Sequence, residues 1–131
     1  MRIAHFASYS FGDIEKAHKI GLWQFGDEDS KHPTLTLTQP GDLVIISLNE
    51  TDRCFVIGFA RSKVRGHKID VDWPGRVDME GAKKDSYELD IATLTDTKEI
   101  TRKDLEKVVE VNLTNQGCRY RKELSDVSEL V

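Results

Sequence analysis

Two apolar runs almost touch in the middle of this chain. "LVIISL" (residues 43–48) and "CFVIGFA" (54–60) are separated by little more than the polar stretch "NETD". Short unbroken runs rich in β-branched and aromatic residues read as strands covered on both faces, where alternation would mark a strand with one wet side. Asn and Asp favour turns, so the second run is the natural antiparallel partner of the first, and "PGD" (40–42) is the turn that starts the pair. A buried hairpin in a chain of 131 residues needs other elements packed against it.

The flanking segments supply them. "RIAHFA" reads as a short apolar strand. In "SYSFGDIEKAHKIGLW", Ser10 or Gly12 can open a helix, and Asp13 and Glu15 suit its positive N-terminal end. Ile14, Ala17 and Ile20 share one face of that helix, and Gly21 closes it. "SYELDIATLTDTKEI" alternates through Tyr87, Leu89 and Ile91 as a half-buried strand does. "TRKDLEKVVEV" is a second helix with Thr101 as N-cap and Leu105, Val108 and Val109 facing inward. The Gly-rich polar stretch 66–86 carries an embedded Trp73 and is the expected functional loop. With no repeat, linker or low-complexity tract, residues 1–131 read as one α+β domain. Its expected architecture is a strongly bent sheet or small open β-barrel flanked by helices.

Composition narrows the function. No apolar run approaches the roughly 18 residues of a membrane span, and "MRIAHFASYS" lacks the apolar core of a secretory signal. Cys54 and Cys118 have neither metal-ligand spacing nor an obvious disulfide role, which predicts a reducing, cytoplasmic setting and no metal. A net charge of −4 argues against nonspecific coating of nucleic acid but not against a local basic face. The run "RSKVRGHK" holds such a face in Arg61, Lys63, Arg65 and Lys68, with Arg119, Arg121 and Lys122 as a second cluster.

Catalytic motifs are thin. There is no GxSxG, P-loop or HExxH, and His5, His18, His32 and His67 are scattered over different segments. The expectation is therefore a non-enzymatic protein without a cofactor. Recognition of one extruded base needs stacking faces, a few polar groups for the base edge and cations for phosphates. Trp23 and Trp73 are the only tryptophans, both at element ends or in loops. Core packing and base stacking compete as their roles.

"ASYSFGDIEKAHKIGLWQ" resembles the opening of a YTH domain, where a K-S-x-S/N stretch leads through a short helix to G-V-W or S-I-W. "LVIISLNETDRCFVIGFARSKV" resembles the next YTH segment, a strand ending S-V-N, a turn, then F-x-G-F/V-A. "PGDLVII" and "YELDIATLTDTKEITRKDLEKV" are closer to the related EVE domains. The similarity spans roughly residues 3 to 110 and implies a PUA-like fold that reads a methylated base in an aromatic cage. Carried across, it makes Trp23 the first cage wall and Trp73 the second. The same resemblance implies that Ser8 and Tyr9 line the pocket and that Asp13 faces the adenine N1 edge. It further implies that the Gln24 backbone carbonyl holds the exocyclic amine and that Asn49 contacts adenine N3. Ala7 stands where YTH domains usually carry Lys, and the 66–86 loop is built differently.

The expected function is a reader of an extruded methylated base, favouring N6-methyladenine, on DNA or RNA. Such domains resemble N-terminal specificity modules of McrBC-type restriction systems, so a motor or nuclease subunit or fused domain is the expected partner, with no membrane and a monomeric isolated domain. Neutral adenine N1 accepts a hydrogen bond and an ionised Asp13 would repel it, which keeps modified cytosine open. The remaining alternatives are an ASCH-type hydrolase of modified nucleosides and a protein-interaction module whose tryptophans are core.

Overall fold

The computed structural model describes residues 3–25, 38–63, 65–66, 71–75, 87–109 and 119–120. Strand β1 (Ile3–Ser8) leads into helix α1 (Phe11–Ile20) and then β2 (Leu22–Phe25). The hairpin β3 (Leu43–Leu48) and β4 (Arg53–Ala60) follows, then the short β5 (Arg65–Gly66) and the long β6 (Tyr87–Thr101). Helix α2 (Arg102–Val109) and the short β7 (Arg119–Tyr120) complete the described elements. The five main strands lie in the order β2-β6-β4-β3-β1, with β7 beyond β1 and β5 beside β6. The result is a strongly curled α+β sheet with two helices. No helix among the described residues is long and apolar enough to cross a membrane.

Local chemistry sets α1. Ser10 is its N-cap, extended in backbone, with Oγ accepting from the Asp13 N–H at 3.2 Å. Gly21 ends it at φ 69°, donating its N–H to Ala17 O at 2.9 Å. A Cβ on Gly21 would also lie 2.8 Å from Ile91 O, while Gly21 O accepts from the Ile91 N–H at 2.8 Å. One glycine thus stops the helix and seats the chain against β6. Ile14 and Ala17 are buried as their spacing predicts. Ile20, expected on the same face, is exposed because it is the last helical residue before that turn.

The β3–β4 hairpin pairs as the apolar runs predict, through a turn in which Thr51 Oγ1 donates to Leu48 O at 2.7 Å and accepts from the Arg53 N–H at 3.1 Å. Unlike its neighbours in this hairpin, β1 runs parallel to β3, from Ile3 opposite Leu43 to Ser8 opposite Leu48. Strand β6 then folds the sheet. It pairs with β2 at its start and with β4 beyond. Between Gly58 opposite Thr93 and Val56 opposite Lys98, the single residue Ile57 faces Leu94–Thr97, a bulge that bends the strand. Gly58 is required there, since a Cβ would lie 2.1 Å from Ala92 O. His18 of α1 donates from Nε2 to Leu94 O at 2.6 Å, satisfying a bulge carbonyl that the ladder has lost.

Both faces of the sheet are covered. On one, Ala4, Phe6, Val44, Ile46, Phe55 and Ile57 pack with Ile14 and Ala17 of α1 and with Trp23, Trp73, Leu89 and Ile91. On the other, Ile3, Leu43, Ile45, Cys54 and Val56 pack under Leu105 of α2. Thr101 caps α2, accepting from the Asp104 N–H at 3.1 Å, as expected. The side chains of Val108 and Val109 lie outside the described residues.

Candidate functional site

Trp23 enters the structure as a strand residue. Gly21 turns the chain directly into β2, which pairs Trp23 with Leu89 and Gln24 with Glu88. Trp73 comes from the other side, in the turn 71–75, the portion of the expected 66–86 loop that is described together with Gly66. The two indoles meet edge to face, centroids 5.4 Å apart at 74°. They are only 3% and 5% exposed and belong to the core facing α1.

Polar groups surround the pair. Trp73 donates from Nε1 to Gln24 Oε1 at 2.6 Å. Asp13, 2% exposed at the first turn of α1, accepts the Gly75 N–H on Oδ1 at 2.7 Å. Ser8, at the end of β1, exchanges two bonds with the Ser10 backbone: its Oγ accepts from the N–H at 3.1 Å and donates to the carbonyl at 3.2 Å. The Asn49 N–H donates to Ser8 O at 2.8 Å, so the hairpin turn abuts the same strand end. Asn49 Oδ1 is buried without a hydrogen-bond partner among the described residues. Tyr9 departs from the cluster, 79% exposed to solvent.

Of the seven residues expected at a base pocket, then, three are directly joined (Trp73 with Trp23 and with Gln24), Asp13 is tied to the same turn through Gly75, and Ser8 and Asn49 adjoin the helix start. The cations stand apart. Arg61 and Lys63 are exposed just beyond β4, where the Arg61 N–H donates to Asp90 O at 2.8 Å. Arg65 lies in β5 opposite Glu88, and Lys68 lies outside the described residues. Arg119 is in β7, opposite His5, while Arg121 and Lys122 are outside the described residues.

Two features escaped the sequence reading. Gln24 was expected to act through its backbone carbonyl, yet its side-chain oxygen holds Trp73. Glu88 sits at the polar phase of "YELDI" and is fully buried, in the part of β6 that pairs with β2 on one side and β5 on the other. Alternation alone sends it outward.

The structure also assembles a histidine, a serine and a cysteine that are far apart in the chain. His5 Nε2 bonds Ser47 Oγ, which lies 3.3 Å from Cys54 Sγ. All three are buried on the α2 side of the sheet. Burial pushes the Cys54 thiol up, only partly opposed by the Ser47 bond. A protonated thiol sealed beneath α2 is a core group rather than a nucleophile open to substrate. Among the described residues no group of three or more His, Cys, Asp or Glu could hold a metal ion. Compared with known proteins, the chain matches no family model and no curated protein.

Proposed function

We propose that this chain is a reader of a modified nucleobase, a PUA-like domain of the EVE/YTH kind that takes an extruded base at the Trp23–Trp73 pair. The observation that carries the reading is the buried Trp23–Trp73 pair, whose turn bonds Gln24 through the Trp73 indole N–H and Asp13 through the Gly75 amide N–H. Stacking on aromatic rings is worth about 1–3 kcal/mol per base, and burying one methyl adds about 0.8 kcal/mol. Selectivity for a methylated base therefore comes from a close-fitting aromatic box more than from the methyl itself.

N6-methyladenine is the favoured ligand. A modified cytosine is the second reading, favoured by the fact that Asp13 already accepts an N–H, the role a cytosine amine would fill. The exposed Arg61 and Lys63 would supply sequence-independent attraction to phosphates. In the cytoplasm, such a domain would act as the specificity module for a motor or nuclease partner. The deciding experiment compares oligonucleotides carrying N6-methyladenine, 5-methylcytosine or no modification, as DNA and as RNA. Tighter binding of one modified form is expected, and equal binding of all would refute the proposal.

A further inference from the structure

A base held between two rings needs parallel faces about 7 Å apart, twice the contact distance between carbon atoms. Trp23 and Trp73 stand at 5.4 Å and 74°, so the pair packs against itself. The groups around it are engaged by the same short turn. Trp73 gives its indole N–H to Gln24 Oε1, and Gly75 gives its amide N–H to Asp13 Oδ1. We propose that the turn Trp73–Pro74–Gly75 is an internal placeholder, occupying the base site with two N–H donors that an arriving base must displace. The inference rests on the reader function proposed above.

The turn is seated closely. A Cβ on Gly75 would lie 2.3 Å from Ser10 Cβ and 3.0 Å from Asp13 Oδ2, and one on Gly12 would lie 3.2 Å from Pro74 Cγ. Only glycine at position 75 lets the backbone reach the carboxylate of Asp13. Both acceptors are buried, so each gives up one hydrogen bond when the turn leaves. A ligand that brings an N–H donor of its own restores part of that loss. The site therefore favours a base with an exocyclic amine at its edge, and the apparent affinity is reduced by the fraction of molecules in which the turn is docked.

Hydrogen exchange of two protons, the Trp73 indole N–H and the Gly75 amide, tests this in the whole chain. Both are expected to be protected in the free protein. On saturation with a short single-stranded oligonucleotide carrying one N6-methyladenine, or one 5-methylcytosine in a parallel arm, both should exchange at least about tenfold faster, the signature of a displaced turn. If Trp23 resonances shift on binding while both protons stay protected, the pocket is preformed and the placeholder is overturned. If no modified oligonucleotide shifts Trp23 at all, the reader function fails and takes the placeholder with it. Gly75→Ala, which obstructs docking, should expose Trp73 to acrylamide and raise affinity for the methylated oligonucleotide about tenfold. A folded Gly75→Ala protein that binds more weakly would count against the proposal. If that variant does not fold, the exchange measurement on the natural chain decides.

Discussion

Trp23 is 3% exposed, so an alanine at this position removes a stacking face and a piece of core together. Truncating a buried aromatic costs about 3–5 kcal/mol of stability, a large share of what a small domain has. Of the two roles the sequence left open, core packing is met by its place in the cluster with Trp73 and Leu89. Trp23→Leu separates the two roles better, because it keeps apolar volume and loses the ring. It should leave a cooperative melt while weakening the modified oligonucleotide by about 1–3 kcal/mol. Binding unchanged from wild type would make Trp23 purely structural. Cys54 makes a prediction of a different kind. Its thiol is raised by burial, so the native state holds that proton to higher pH than the unfolded chain, where a thiol titrates near ~8.5. The associated stability is present below the unfolded value and is lost as pH rises through the folded one. Denaturant melts at neutral and alkaline pH should therefore show a steeper alkaline loss for wild type than for Cys54→Ala. Equal losses would assign the alkaline effect to other groups.

At the scale of elements, the glycines of the sheet differ in what they do, and substitution should reveal it. A Cβ on Gly58 would collide with the backbone of β6, at 2.1 Å from Ala92 O and 2.7 Å from Thr93 Cα. Backbone atoms yield little, so Gly58→Ala should cost about 3 kcal/mol. Gly41 has open space around it but φ of 92°, so Gly41→Ala should cost only about 1 kcal/mol, from backbone strain. Similar chemical-denaturation midpoints for the two would mean that the close pairing at Gly58 relaxes freely. Elements with local signals were legible in the sequence: α1 between Ser10 and Gly21, the β3–β4 hairpin, β6, and α2 with its Thr101 cap. What was hidden depends on partners distant in the chain. Nothing near residues 3–8 announces a parallel neighbour at 43–48, and no spacing rule brings His5 to Ser47 and Cys54. Within the candidate site the residue types were readable, but the bonds from Trp73 to Gln24 and from Gly75 to Asp13 were not, because they arise only when the 71–75 turn folds back on α1 and β2.

For the molecule as a whole, the proposed reader function puts electrostatics and recognition in different places. The chain carries 19 Lys and Arg against 23 Asp and Glu, so under that proposal attraction to phosphates would be local. Arg61 and Lys63 are exposed and make no part of the tryptophan cluster. Reversing both to Glu should weaken modified and unmodified oligonucleotides by similar factors and lower the salt slope by roughly 0.7–0.9 for each lost contact. The preference for the modified base should persist. A double variant with the wild-type salt slope would move the phosphate path to another face of the protein.

The parallel pairing of β1 with β3 also imposes an order of events in time. Residues 3–8 are the first of the described residues to be synthesised, yet they end between β3 and β7, whose residues are made much later. The hairpin can close from neighbouring segments, but β1 must wait for it, and contacts so distant in sequence come at a high entropic cost. The N-terminal strand is therefore expected to join after the rate-limiting barrier. Weakening it, for example with Phe6→Leu, should then speed unfolding with little effect on the folding rate. A chevron in which Phe6→Leu mainly slows folding would instead put the first strand in the nucleus.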